Sequence, residues 1–212
     1  MSIVIANDYY TLDFSNYDSF YSRSSCSPVG ATPYTETPNA GGCWISRIIH
    51  QLFWMMNKVD RSDKAIVYSV GGGKRLVAWK QENEETCVNF HKLIGFSSGI
   101  KFKLLVAITP GALACSTMLT GCAVGTGLLL FEADGPPISC DSYFGIFSHD
   151  KLIAWSRSSA FEFTSHDKFR DCYFGSMYLK PTNGAKFIID SDTEKKGMSF
   201  QFAKLLKKVY LP

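Results

Sequence analysis

A cysteine follows two glycines and precedes a tryptophan in the stretch NAGGCWISRIIHQLFWMM, residues 39–56. Trp44, Ile48, Leu52 and Met55 recur at helical spacing, so residues 43–58 are expected as a helix with Gly42 as its flexible entry. A thiol at a helix N-terminus is stabilised as the thiolate by unpaired backbone N–H groups and by the helix dipole. Cys43 is therefore the candidate nucleophile, and Gly41 and Gly42 would let an extended substrate backbone reach it. The competing reading makes Cys43 one more small, inert core residue.

A nucleophilic thiol needs a base, and the chain has four histidines. His50 shares a helix face with Cys43 but sits about 10 Å further along the axis, too far for a hydrogen bond. His91 falls among apolar residues of a second expected helix, 83–96. His149 and His166 remain, each within the tetrapeptide SHDK. A hairpin formed by KLIAWSR and FEFTSHD would bring His149 beside Asp167, giving a nucleophile, a base and a group that orients the base. His166 with Asp171 or Asn183 is the alternative arrangement. The backbone N–H of Cys43 and the side chain of Asn39 would form an oxyanion hole, although Asn39 after Pro38 is equally well read as a turn residue.

The elements that must position these groups form one domain of ordinary size, since the chain has 212 residues, 46% of them hydrophobic and 19% charged. A net charge of +3 is too small to argue for nucleic acid. Seven cysteines without a CxxC pair fit neither a zinc site nor an even disulfide framework, which favours free thiols in a reducing compartment. No metal and no cofactor are expected. Residues 104–131 carry no charge and are long enough to span a bilayer. Pro110 and the glycines break that run, so it is read as a buried strand near 103–108, a helical or loop section, and a second strand ending at Glu132. The stretch AIVYSVGGGKRLVAW reads as a hairpin around a glycine turn, because a phosphate loop would need Ser or Thr after Lys74. From residue 138 onward, short apolar runs separated by turn residues indicate strands. The N-terminal SIVIA reads as a strand, and the rest of 1–38 as chain wrapping the surface.

The run GGCWISRIIHQLF resembles the nucleophile helix of papain-like cysteine proteases of positive-strand RNA viruses, and YFGIFSHDKLIAWSRSSAFEFTSHD resembles the region around their catalytic His and Asp. The likeness is to picornavirus leader proteases and to the torovirus type, also found inserted in recombinant enteroviruses. It implies an α+β, papain-like fold in a single domain, 1–212, with an N-terminal wrap (1–38), a helical lobe (about 39–130) and a β lobe (about 131–212). It implies Cys43 as nucleophile, His149 as base, Asp167 as its orienting group and Asn39 at the oxyanion, with Gly41, Gly42 and Trp44 binding substrate. It also implies cleavage of peptide or isopeptide bonds, with ubiquitin or a ubiquitin-like modifier as partner, action in the host cell cytoplasm against innate immunity, and processing of a viral polyprotein.

Two features would serve such a partner or something plainer. The acidic ENEE at 82–85 would meet a basic ubiquitin tail, or it is a solvated helix start. The tail KKGMSFQFAKLLKKVYLP is basic and apolar, suiting a membrane surface or a terminal element docked with its lysines outward. The alternative to the protease is a non-catalytic viral protein that binds host partners and keeps Cys43 in its core.

Overall fold

Antiparallel strands account for almost every element among the described residues. The computed structural model describes residues 2–5, 9–13, 17–24, 26, 28–38, 56–61, 65–106, 119–139, 145–164, 178–182 and 184–191. In chain order the first strands are β1 (Ser2–Ile5), β2 (Tyr9–Leu12), β3 (Ser19–Ser22), β4 (Pro28–Val29), β5 (Tyr34–Glu36) and β6 (Met56–Asp60). Then come β7 (Ile66–Ser69), β8 (Arg75–Gln81), β9 (Glu85–Val88), β10 (Leu93–Ser97), β11 (Ile100–Val106), β12 (Leu119–Gly125) and β13 (Gly127–Ala133). The last are β14 (Pro137–Ser139), β15 (Phe147–Ser148), β16 (Leu152–Ser156), β17 (Phe161–Thr164), β18 (Tyr178–Pro181) and β19 (Phe187–Asp190). Among the described residues the only helical element is the 3-10 turn His149–Lys151.

The strands form four antiparallel sheets. The largest runs β1-β8-β13-β10-β3-β6-β5 and the next β11-β12-β9-β16-β19-β14, with two three-stranded sheets, β2-β7-β4 and β15-β18-β17. Three apolar clusters stack them in layers. Val77, Trp79, Leu129 and Phe131 of the largest sheet pack with Val88, Phe102, Ala123 and Ile188 of the six-stranded one. The opposite face of the largest sheet, through Leu76, Ala78, Leu128 and Leu130, packs on Leu12, Ile66 and Tyr68 of β2-β7-β4. On the far side, Phe147 and Leu179 of β15-β18-β17 meet Leu152, Phe187 and Ile189 of the six-stranded sheet.

This layering explains the uncharged run 104–131. Strand β13 faces apolar neighbours on both sides, so its sequence is continuously apolar rather than alternating. The strands expected near 103–108 and ending near Glu132 are β11 and β13, with β12 between them; residues 107–118 lie outside the described residues. No helix among the described residues is long and apolar enough to cross a membrane.

The α+β, papain-like architecture with a helical N-terminal part is corrected to all-β. The helix expected over 83–96 is β9, a turn and β10. Thr86, Cys87 and Val88 favour extended backbone. Asn89 then breaks the run, its Oδ1 accepting the His91 N–H at 3.2 Å while its carbonyl accepts the Lys92 N–H at 3.0 Å. Of the helix expected over 43–58, residues 56–58 belong to β6, and residues 39–55 lie outside the described residues. The hairpin expected at 65–79 has its two strands but not its pairing. Strand β7 pairs with β2 and β4, and β8 with β1 and β13. Gly72 and Gly73, at φ of 76° and 74°, carry the chain from one layer to the next in a left-handed conformation that glycine adopts without strain.

One glycine is needed for space. A Cβ on Gly121 of β12 would fall 1.9 Å from the ring of Phe90, which packs on the main core. Gly121→Ala should therefore cost about 1–3 kcal/mol through overpacking, visible as a lowered thermal midpoint. An unchanged midpoint would show that Phe90 moves aside freely.

Candidate functional site

Of the residues expected to do chemistry, the described residues include only His149. Asn39, Gly41, Gly42, Cys43, Trp44, His166 and Asp167 lie outside them. His149 opens the 3-10 turn that carries the chain from β15 into β16, from the outermost layer to the six-stranded sheet. It is buried, its carbonyl accepts the Leu152 N–H, and its Nε2 lies 3.2 Å from Asp150 Oδ1.

The hairpin meant to deliver Asp167 to His149 is not formed. Strand β16 pairs with β9 and β19, whereas β17 pairs with β18. What the topology does align is different: Ser148 and Thr164 both lie opposite Tyr178, on either side of β18. Strands β15 and β17 therefore finish at the same end of one small sheet, about 10 Å apart.

Behind the His149 turn lies a buried ionic network that the sequence did not announce. Asp190, with a side chain only 1% exposed, accepts hydrogen bonds from Asp134 N–H at 2.8 Å, from Gly135 N–H at 2.9 Å and from Lys92 Nζ at 3.0 Å. Lys92 also pairs with Asp134, and Lys151 Nζ donates to the Ser191 carbonyl at 2.8 Å. Burial works to lower the Lys92 pKa, but the hydrogen bonds to Asp134 and Asp190 outweigh it and the net shift is upward. With its acceptors and donors matched, this network ties β10, β13 and β19 together. The only hint in the sequence is an acid closing the apolar run FIID.

The ENEE segment is likewise committed to pairing. It leads into β9 rather than a helix; Glu84 binds Lys186 Nζ at 2.9 Å, and Glu85 binds Arg157 and Lys103. Arg157, and then Lys103, holds the Glu85 carboxyl below its ordinary range. No group of three or more His, Cys, Asp or Glu side chains among the described residues could hold a metal ion.

A surface feature stands out instead. In the sheet β2-β7-β4, Leu12, Ile66 and Tyr68 turn inward and are buried. Opposite faces alternate along a strand, so Tyr9 and Thr11 of β2, Val67 and Ser69 of β7, and Val29 of β4 share the outward face. Tyr9 and Val29 are 60% and 61% exposed, and none of the five residues is charged. Solvated sheet faces normally include charged side chains, so an uncharged row with exposed Tyr9 and Val29 is informative. The alternation is visible in YYTL and IVYS, but neither segment specifies that the two strands pair.

The fold and these sites define a layered, all-β protein. No family model matches the sequence, and a search of curated proteins finds no match. Among solved structures it is similar to the crystal structure of a Streptococcus pyogenes protein determined by a structural genomics consortium, at 15% identity and a TM-score of 0.58, covering 97% of this chain and 99% of that one. That likeness is one of fold. It overturns the resemblance to viral papain-like proteases, because the similar structure is bacterial and the described residues are nearly all antiparallel sheet.

Proposed function

We propose that this chain is a non-catalytic binding protein that docks a partner protein on the outward face of β2-β7-β4. The observation that supports this reading is the uncharged row of Tyr9, Thr11, Val67, Ser69 and Val29 on one sheet face, with Tyr9 and Val29 well exposed. A flat face of aromatic, β-branched and hydroxyl side chains suits a protein surface, which supplies matching apolar area and a few hydrogen bonds. Strands β2 and β4 are also the outer strands of this sheet, so their backbone could add an extended segment of the partner. The free thiols of Cys26, Cys87 and Cys122 favour a reducing compartment such as the cytoplasm.

Photocrosslinking in the cells of origin tests the proposal. A benzophenone side chain replacing Tyr9 should give one discrete protein adduct, and the same group replacing the exposed Lys101 of β11 should not. Combining the Tyr9 replacement with Val29→Asp should remove the adduct by placing a charge in the contact. Equal labelling from both positions, or an adduct indifferent to Val29→Asp, would defeat the proposal. A ubiquitin C-terminal electrophile captured at Cys43 would defeat it as well, and would restore thiol hydrolysis as the function.

A further inference from the structure

Two cysteines far apart in sequence meet inside the six-stranded sheet. Cys87 of β9 lies directly opposite Cys122 of β12. The same row continues to Lys103 of β11 on one side and to Trp155 of β16 and Phe187 of β19 on the other. Directly opposed residues share a sheet face. The neighbouring row, Phe102, Ala123 and Thr86, faces the other way, and Phe102 and Ala123 are part of the main core. The thiols thus sit on the face turned away from that core, with Glu85 two residues along β9 on the same face.

Both thiols are free and buried, Cys122 at 0% and Cys87 at 5% exposure. The proximity of the two thiols lowers the pKa of Cys122 and raises that of Cys87. Cys122 is therefore the thiol of the pair that ionises first. Directly opposed residues of an antiparallel pair have Cα atoms about 4.5–5.5 Å apart, within the span of about 4.4–6.8 Å that a disulfide bridges.

We infer that Cys87 and Cys122 form a redox-active dithiol that a small hydroperoxide converts into a cross-strand disulfide. The reaction balances within the pair and the oxidant. The thiolate attacks one peroxide oxygen, the O–O bond breaks, and the departing hydroxide takes up a proton to leave as water (for hydrogen peroxide). The resulting sulfenic acid is attacked at sulfur by the second cysteine, which gives up its proton as the S–S bond forms and a second water leaves. Two thiols lose two electrons and two protons, and one peroxide becomes two waters. Burial selects a small oxidant, since a bulky disulfide such as oxidised glutathione would have to displace the side chains over the pair.

The test treats the folded protein with one equivalent of hydrogen peroxide, alkylates the remaining thiols after denaturation, and maps the peptides by mass spectrometry. The expected product is a linked pair of peptides carrying Cys87 and Cys122, lighter by two hydrogens and split by a reductant. Cys87→Ser and Cys122→Ser should each eliminate it. If both cysteines are instead recovered alkylated as free thiols while other cysteines oxidise, the inference is wrong. Should a serine variant fail to fold, the wild-type chain still decides. The linked product must disappear on reduction and return on a second peroxide treatment, and its failure to return in refolded protein also counts against the proposal.

Discussion

Asp190→Ala should lower the unfolding free energy by about 3–5 kcal/mol, the cost of breaking a buried charge pair by removing one partner. Three donors converge on this carboxylate: the N–H groups of Asp134 and Gly135 and the ammonium of Lys92. Alanine leaves both backbone donors without their acceptor and reduces Lys92, whose side chain is 12% exposed, to its partner Asp134. Equilibrium urea unfolding followed by tryptophan fluorescence measures the loss. Asp190→Asn keeps one acceptor oxygen and should cost less than alanine. A loss below about 1 kcal/mol for alanine would mean that water replaces the carboxylate with little penalty. The pH dependence has a definite sign. The folded-state pKa of Lys92 is raised, so the stability it supplies is complete below the ordinary lysine pKa and is lost as pH rises through the folded value.

Trp79→Ala should cost a similar amount, about 3–5 kcal/mol, for a different reason. Trp79 is fully buried on β8, on the face between the two large sheets, and removing its ring leaves a void there. The indole Nε1–H is buried and finds no acceptor among the described residues. Trp79→Phe therefore retains most of the packing while removing a desolvated donor, and should be much milder than alanine in the same urea assay. Equal losses for the two variants would show that the indole N–H is bonded, with water as the missing acceptor.

The local sequence made the late strands legible. The runs KLIAWSR and AKFIID became β16 and β19 because short apolar segments between turn residues have little alternative to extended structure. The early segments misled because apolar spacing in CVNFHKLIGF suits a helix as well as two strands joined by a turn. The Asn89 turn decided between them. The expected approach of Asp167 to His149 needs a hairpin between β16 and β17, which do not pair. Of those residues, only His149 lies within the described structure. The uncharged face, by contrast, depends on β7 pairing with β2 and β4 rather than with β8, which no local pattern in IVYSVGGGKRLVAW specifies.

By itself, the sequence determined that the chain buries a large core and that the short apolar runs after residue 138, such as KLIAWSR and AKFIID, are strands. Only the tertiary structure decided which strands are neighbours. That choice rests on contacts between residues distant in the chain, such as the pairing of Cys87 with Cys122 and the reach of Lys92 to Asp190. Local periodicity reports which face of a segment is apolar, but the partner that covers this face is chosen by the packing of all four sheets together.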